Sequence, residues 1–152
     1  MELAAGGSLR DVLHDEARAL PWPLRVNWLA QIAEGMAELH AMLPRPIVHR
    51  DLKAANVLLS SADLGQAVAK VADFGVAKTM DTLRTTCATA AVGAGGTAGT
   101  LPWKAAETFK GKFTEASDVH AFGIMLFEVV SRTYAALALG HGDVLLSPAR
   151  VS

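Results

Sequence analysis

Apolar residues recur along the chain in blocks whose spacing changes from segment to segment. Between positions 24 and 40, Leu24, Trp28, Ile32, Met36 and Leu39 fall at helical spacing, with Leu29 and Ala33 widening the stripe, so an amphipathic helix is predicted there. Pro23 suits its first turn, and Pro44 and Pro46 stop it. Ahead of it, Ser8-Leu9-Arg10-Asp11 has the serine and carboxylate spacing of a capping box, and Leu9, Val12 and Leu13 give a short helix one apolar edge. Ile47-Val48 and Val57-Leu58-Leu59 are short β-prone runs, and Val68 to Ala72 is a third candidate strand. Thr114 to Asp118 offers capping residues for a last helix over Val119 to about Val130, with Phe122, Leu126 and Val129 on one side. Residues 82–100 are almost all Thr, Ala and Gly, have little to bury, and are expected to be mobile. The pattern weakens after Ala136, and no internal repeat is present.

Composition narrows the classes. A chain of 152 residues, 51% hydrophobic and 19% charged, is at most one ordinary globular domain. A net charge of −1 gives no electrostatic reason to expect nucleic acid or an anionic membrane as partner. The single cysteine, Cys87, cannot form an intramolecular disulfide, which favours a reducing compartment. The start, Met-Glu-Leu-Ala-Ala-Gly-Gly, lacks the basic and apolar regions of a signal peptide. The longest apolar run, broken by His120 and Glu128, is too short to span a bilayer. A cytoplasmic location follows as an expectation, with a longer parent still able to be the intracellular part of a membrane protein.

The chemistry concentrates in Val48-His49-Arg50-Asp51-Leu52-Lys53-Ala54-Ala55-Asn56-Val57-Leu58-Leu59, where a carboxylate, an ammonium and a carboxamide lie within six residues between apolar runs. Keeping such groups dry costs several kcal/mol unless something pairs with them. Asp51 and Asn56, with Asp73 at the end of the next candidate strand, supply two carboxylates and an amide oxygen. These are hard oxygen donors of the kind that hold magnesium beside phosphate. Phosphoryl transfer, in which catalysis is mostly positioning and charge neutralisation, fits that set.

These residues carry a resemblance. His49-Arg50-Asp51-Leu52-Lys53-x-x-Asn56 resembles the catalytic loop of the eukaryotic protein kinase family, and Asp73-Phe74-Gly75 its metal-binding motif. Gly99-Thr100-Leu101-Pro102-Trp103-Lys104-Ala105-Ala106-Glu107 resembles the end of an activation segment, and Ser117-Asp118-Val119-His120-Ala121-Phe122-Gly123 the start of the central large-lobe helix. Residues 1–9 look like a hinge entering the first large-lobe helix. The resemblance is to a large-lobe fragment, of serine/threonine or tyrosine-kinase-like type. It implies an α+β fold, mainly helical with short β-strand pairs around the catalytic loop and no N-terminal lobe. Residues 1–136 would be a partial kinase domain, and residues 137–152 a divergent, poorly ordered tail.

The resemblance also implies roles. Asp51 would orient the substrate hydroxyl, and Lys53 would neutralise charge on the transferring phosphoryl group, its presence favouring serine/threonine kinases. Thr100 would contact both. Asn56 and Asp73 would ligate Mg2+. Leu58 would lie under the adenine of ATP, with hinge backbone near Glu2 to Ala4 bonding its edge. His49 and Phe74 would be structural supports, and Asp118 would brace the catalytic loop through backbone amides. Arg50 would pair with a phosphate on Thr85, Thr86, Thr89 or Thr97 and order that segment. The implied partners are ATP and a protein substrate, the function transfer of the γ-phosphoryl group to Ser/Thr hydroxyls.

Departures from the family pattern are also plain. Ala106 stands where proline is usual, His120 where tryptophan is frequent, and Lys104 where an apolar residue is usual. The glycines at 93, 95, 96 and 99 follow the metal motif, the wrong place for a phosphate cover. With no Gly-rich loop and no strand lysine ahead of Met1, negligible activity is expected of the chain alone. Exposed apolar surface and a tendency to associate are expected as well. The rival readings are a non-catalytic binding module and a gene-model fragment without independent function.

Overall fold

The computed structural model describes residues 4–73, 78–79 and 98–134, the side chains of 78–79 and 98–100 excepted. Within these residues three α-helices surround two small antiparallel sheets. Helix α1 (Leu9–His14) starts where the Ser8 hydroxyl accepts from the Asp11 amide. Helix α2 (Trp22–Ala41) has a proline in its first turn, where the missing N–H costs nothing. Helix α3 (Glu115–Ser131) opens on a capping box between Thr114 and Ser117.

Strand β1 (Ile47–Val48) pairs with β4 (Lys78–Thr79), and β2 (Val57–Leu59) pairs with β3 (Ala69–Val71) in the register Val57↔Val71, Leu58↔Lys70, Leu59↔Ala69. The entry segment joins β2 from the other side, through a bridge between Ser8 and Leu58 and a Gly6 N–H to Leu59 O bond of 3.0 Å. Gly6 is required there, since a Cβ would sit 2.4 Å from the Ser61 carbonyl oxygen.

The α2 stripe buries Trp28, Ile32 and Met36 against this sheet, with Leu24, Leu29 and Leu39 packed at its margins. Polar atoms on α2 fix the register of that contact. The Trp28 indole donates to Ala67 O at 3.1 Å, and Gln31 Oε1 accepts the Ala69 amide at 2.8 Å. Orphan carbonyls at two helix ends are met by arginines from elsewhere in the chain. Arg132, just beyond α3, donates to Leu13 O, Asp15 O and Arg18 O after α1. Arg25 on α2 donates to Val129 O and Val130 O at the end of α3.

The face of α3 matches the expected one at Val129 and in part at Phe122, and departs from it at Leu126. Ala121, Met125, Glu128 and Val129 are buried, whereas Leu126 is 41% exposed and Phe122 only partly covered. The reason is that apolar residues run almost all round this helix, so spacing alone selects no face. Val119, Leu126, Phe127 and Val130 form an exposed apolar stripe opposite the core. No helix among the described residues is long and apolar enough to cross a membrane.

Helix α1 is tied to α3 by a 3.3 Å bond between His14 Nε2 and Glu128 Oε1. Burial, then the guanidinium groups of Arg10 and Arg132, hold the His14 pKa below its ordinary 6.5, against a smaller opposing pull from Asp11. The contact is therefore the hydrogen bond of an uncharged imidazole, not an ion pair. Because the unfolded chain takes up this proton at higher pH than the folded chain, stability falls as pH drops below about 6.5. Urea unfolding near pH 7.5 and near pH 5.5 should show a larger loss for the parent chain than for His14→Gln. The α3 orientation has its own check: Met125→Ala should cost about 2–5 kcal/mol and Leu126→Ala about 0.5 or less.

Candidate active site

The loop between β1 and β2 is shaped by an acid 68 and 69 residues away in sequence from the two amides it binds. Asp118, buried at the start of α3, accepts the His49 amide on Oδ2 at 2.8 Å and the Arg50 amide on Oδ1 at 2.9 Å. His40, in the last turn of α2, reaches the same Oδ2 at 2.9 Å. The carboxylate sits in the first turn of α3, where the helix dipole also favours negative charge.

Held this way, the loop turns sharply. Arg50 has φ 73° and Asp73, beyond β3, has φ 62°. Left-handed backbone at a non-glycine residue costs on the order of 1–3 kcal/mol and persists only where neighbours enforce it. The buried His49 side chain spans the two turns. Its Nδ1 accepts the Asp51 amide at 3.3 Å, so Nε2 carries the hydrogen and donates to Ala72 O at 3.0 Å. The Arg50 guanidinium lies over the Phe113 ring, 4.1 Å from its centroid.

Three chemical groups then converge. Lys53 Nζ donates to Asp51 Oδ2 at 2.7 Å, and Asn56 Nδ2 donates to the same oxygen at 3.0 Å and to Asp51 O at 2.8 Å. Asp51 Oδ1 has no partner among the described residues. The two bonds from Nδ2 fix the Asn56 amide, turning its Oδ1 to the other side as an oxygen donor. Asn56 ends a short 3-10 turn, Ala54–Asn56, and its carbonyl accepts the Ala72 amide at 2.8 Å. The β2–β3 ladder thereby brings the backbone next to Asp73 alongside Asn56.

Other residues singled out by sequence fall as follows. Leu58 points away from the buried side chains of Val57 and Leu59 and is partly exposed, beside the entry segment that contains Ala4. Ala4 O accepts the Gly7 amide at 3.1 Å. Thr100 lies in the backbone of a 3-10 turn, Ala98–Trp103. Glu2, Phe74, Gly75, Thr85, Thr86, Thr89, Thr97 and Cys87 lie outside the described residues, as do residues 137–152. A cleft beside the loop is lined by Arg50 and Asp51 but by neither Asn56 nor Asp73. No group of three or more His, Cys, Asp or Glu side chains able to hold a metal occurs among the described residues.

Sequence reasoning missed His40 and Phe113. Neither lies in a local motif, and His40 meets Asp118 across 78 residues.

The chain belongs to the protein tyrosine and serine/threonine kinase family, whose model matches residues 1–139. It is 39% identical to mitogen-activated protein kinase kinase kinase 7 of Drosophila melanogaster, over 87% of this chain and 18% of that protein. It is 39% identical to mitogen-activated protein kinase kinase kinase 10 of Homo sapiens, over 93% of this chain and 15% of that protein. The chain thus spans about a fifth or less of the length of these curated relatives.

Removing the brace should loosen the loop and the fold together. Asp118→Ala should lower unfolding free energy by about 3 kcal/mol, since it strands two buried amides and the imidazole of His40. His40→Ala, which leaves both amides paired, should cost about 1 kcal/mol by the same urea titration.

Proposed function

We propose that the described residues are the large lobe of a serine/threonine protein kinase, which moves the γ-phosphoryl group of Mg-ATP to a protein hydroxyl. The observation that carries this is the double hold on Asp51 Oδ2 by Lys53 and Asn56. It orients the carboxylate while leaving Oδ1 to accept a hydrogen bond from the acceptor hydroxyl, placing that oxygen for in-line attack. The Lys53 ammonium, 2.7 Å from the carboxylate, is placed to offset negative charge that builds on the phosphoryl group. Asn56 Oδ1 and the Asp73 carboxylate would hold the magnesium ion, which supplies charge neutralisation when bound. Leu58 would give an apolar surface for adenine, and the entry segment that holds Ala4 pairs with it at Ser8.

Lys53 within the loop favours serine and threonine over tyrosine as acceptors. The relatives' names describe kinases that act on other kinases, which supports a protein as the acceptor here. Arg50, at the left-handed turn next to Asp51, is the residue we assign to a phosphate on Thr85, Thr86, Thr89 or Thr97.

A readout independent of turnover tests the nucleotide site. A fluorescent ATP analogue should bind the 152-residue chain more tightly with Mg2+ than with EDTA. Asn56→Ala and Asp73→Asn should each remove that metal dependence, whereas Asp51→Asn should retain it. Nucleotide binding indifferent to magnesium in all four proteins would contradict the reading.

A further inference from the structure

The cleft beside Asp51 lies between the loop and the segment that leads into α3. Its walls include Arg50, Asp51, Trp103, Lys104, Phe113 and Asp118. Its two carboxylates are held, Asp118 on both oxygens and Asp51 on Oδ2. Asp51 holds Lys53 and Asn56, and Asp118 holds His40 and two backbone amides. The hydroxyls in the lining donate inward, Thr108 to Ala105 O and Ser117 to Thr114 O. The lining also carries positive charge. Lys104 is half-buried on one wall, and no carboxylate among the described residues pairs with its ammonium. The Arg50 guanidinium, stacked on Phe113, adds a second cation to the lining. In the same wall the buried Trp103 indole N–H has no acceptor among the described residues.

We infer that this cleft receives an acidic side chain of the protein substrate, next to the residue whose hydroxyl meets Asp51, and that Lys104 selects for it. The inference rests on the phosphoryl-transfer reading for the identity of the hydroxyl's partner. Its electrostatics stand on the cleft itself. A peptide that lays its hydroxyl against Asp51 Oδ1 must run along this lining, because Asp51 forms part of the cleft wall. A carboxylate there meets an ammonium not held by a protein acid. A lysine or arginine there meets two like charges and is disfavoured. With an apolar residue at position 104 the charge preference would be lost.

Short labelled peptides with a central serine flanked on both sides by Glu, Gln or Lys test this by fluorescence anisotropy, without nucleotide or magnesium. The 152-residue chain should bind the Glu peptide about fivefold more tightly than the Gln peptide, and the Lys peptide least. Lys104→Arg should keep that order, Lys104→Gln should erase it, and Lys104→Glu should invert it. Lys112→Gln, an exposed lysine outside the cleft, should leave it unchanged. Absence of an acidic preference in the parent chain, its persistence in Lys104→Gln, its loss in Lys112→Gln, or no binding of any peptide would overturn the inference. Asp73→Asn should be silent in this series although it abolishes metal-dependent nucleotide binding. If the nucleotide series fails and the acidic preference survives, the kinase reading falls and an acidic-peptide cleft stands. If the reverse holds, only the role of Lys104 falls.

Discussion

One carboxylate organises this molecule. Asp118 turns the first amides of the loop, at His49 and Arg50, toward the buried start of α3, and it holds the end of α2 through His40. Three elements distant in sequence meet at its two oxygens. Each bond to an ionised acceptor contributes about 1.5–3 kcal/mol, enough to hold a backbone in the left-handed region at Arg50 that it would otherwise leave. The chemistry of the loop is a consequence. With His49 and Arg50 fixed, Asp51 is presented so that Lys53 and Asn56 both reach one of its oxygens.

A second constraint comes from β2 and β3. Their three-residue ladder is too short to be stable alone, so α2 holds it through Trp28 and Gln31, and the Gly6 to Ser8 segment covers its other edge. Because Asn56 and Asp73 flank this ladder, its register sets how near the two oxygen donors lie. Core residues on α2 that touch neither side chain therefore still set where Asn56 and Asp73 stand relative to one another.

Much of this was legible in the chain. The stripe of Trp28, Ile32 and Met36 has one period and one face, so the helix and its burial follow directly. The loop motif was legible because its residues are hydrated groups bracketed by apolar runs, an arrangement that needs a partner. Other features had no local signal. Two-residue strands such as Ile47–Val48 do not specify a mate, and β1 pairs with β4 instead of its neighbour in sequence. The face of α3 could not be chosen between Met125 and Leu126, since both sides of the helix are apolar. Nor did His40 announce its role, because the acid it meets is brought close only by the packing of α2 against α3.

Amide hydrogen exchange at His49 and Arg50 tests the central claim most directly. If Asp118 braces the loop, these two amides exchange as slowly as those in the middle of α3, and Asp118→Ala accelerates both by several orders of magnitude while the amides of α2 near Ile32 stay protected. Exchange at His49 and Arg50 as fast as in an open surface loop of the unaltered chain would contradict the account.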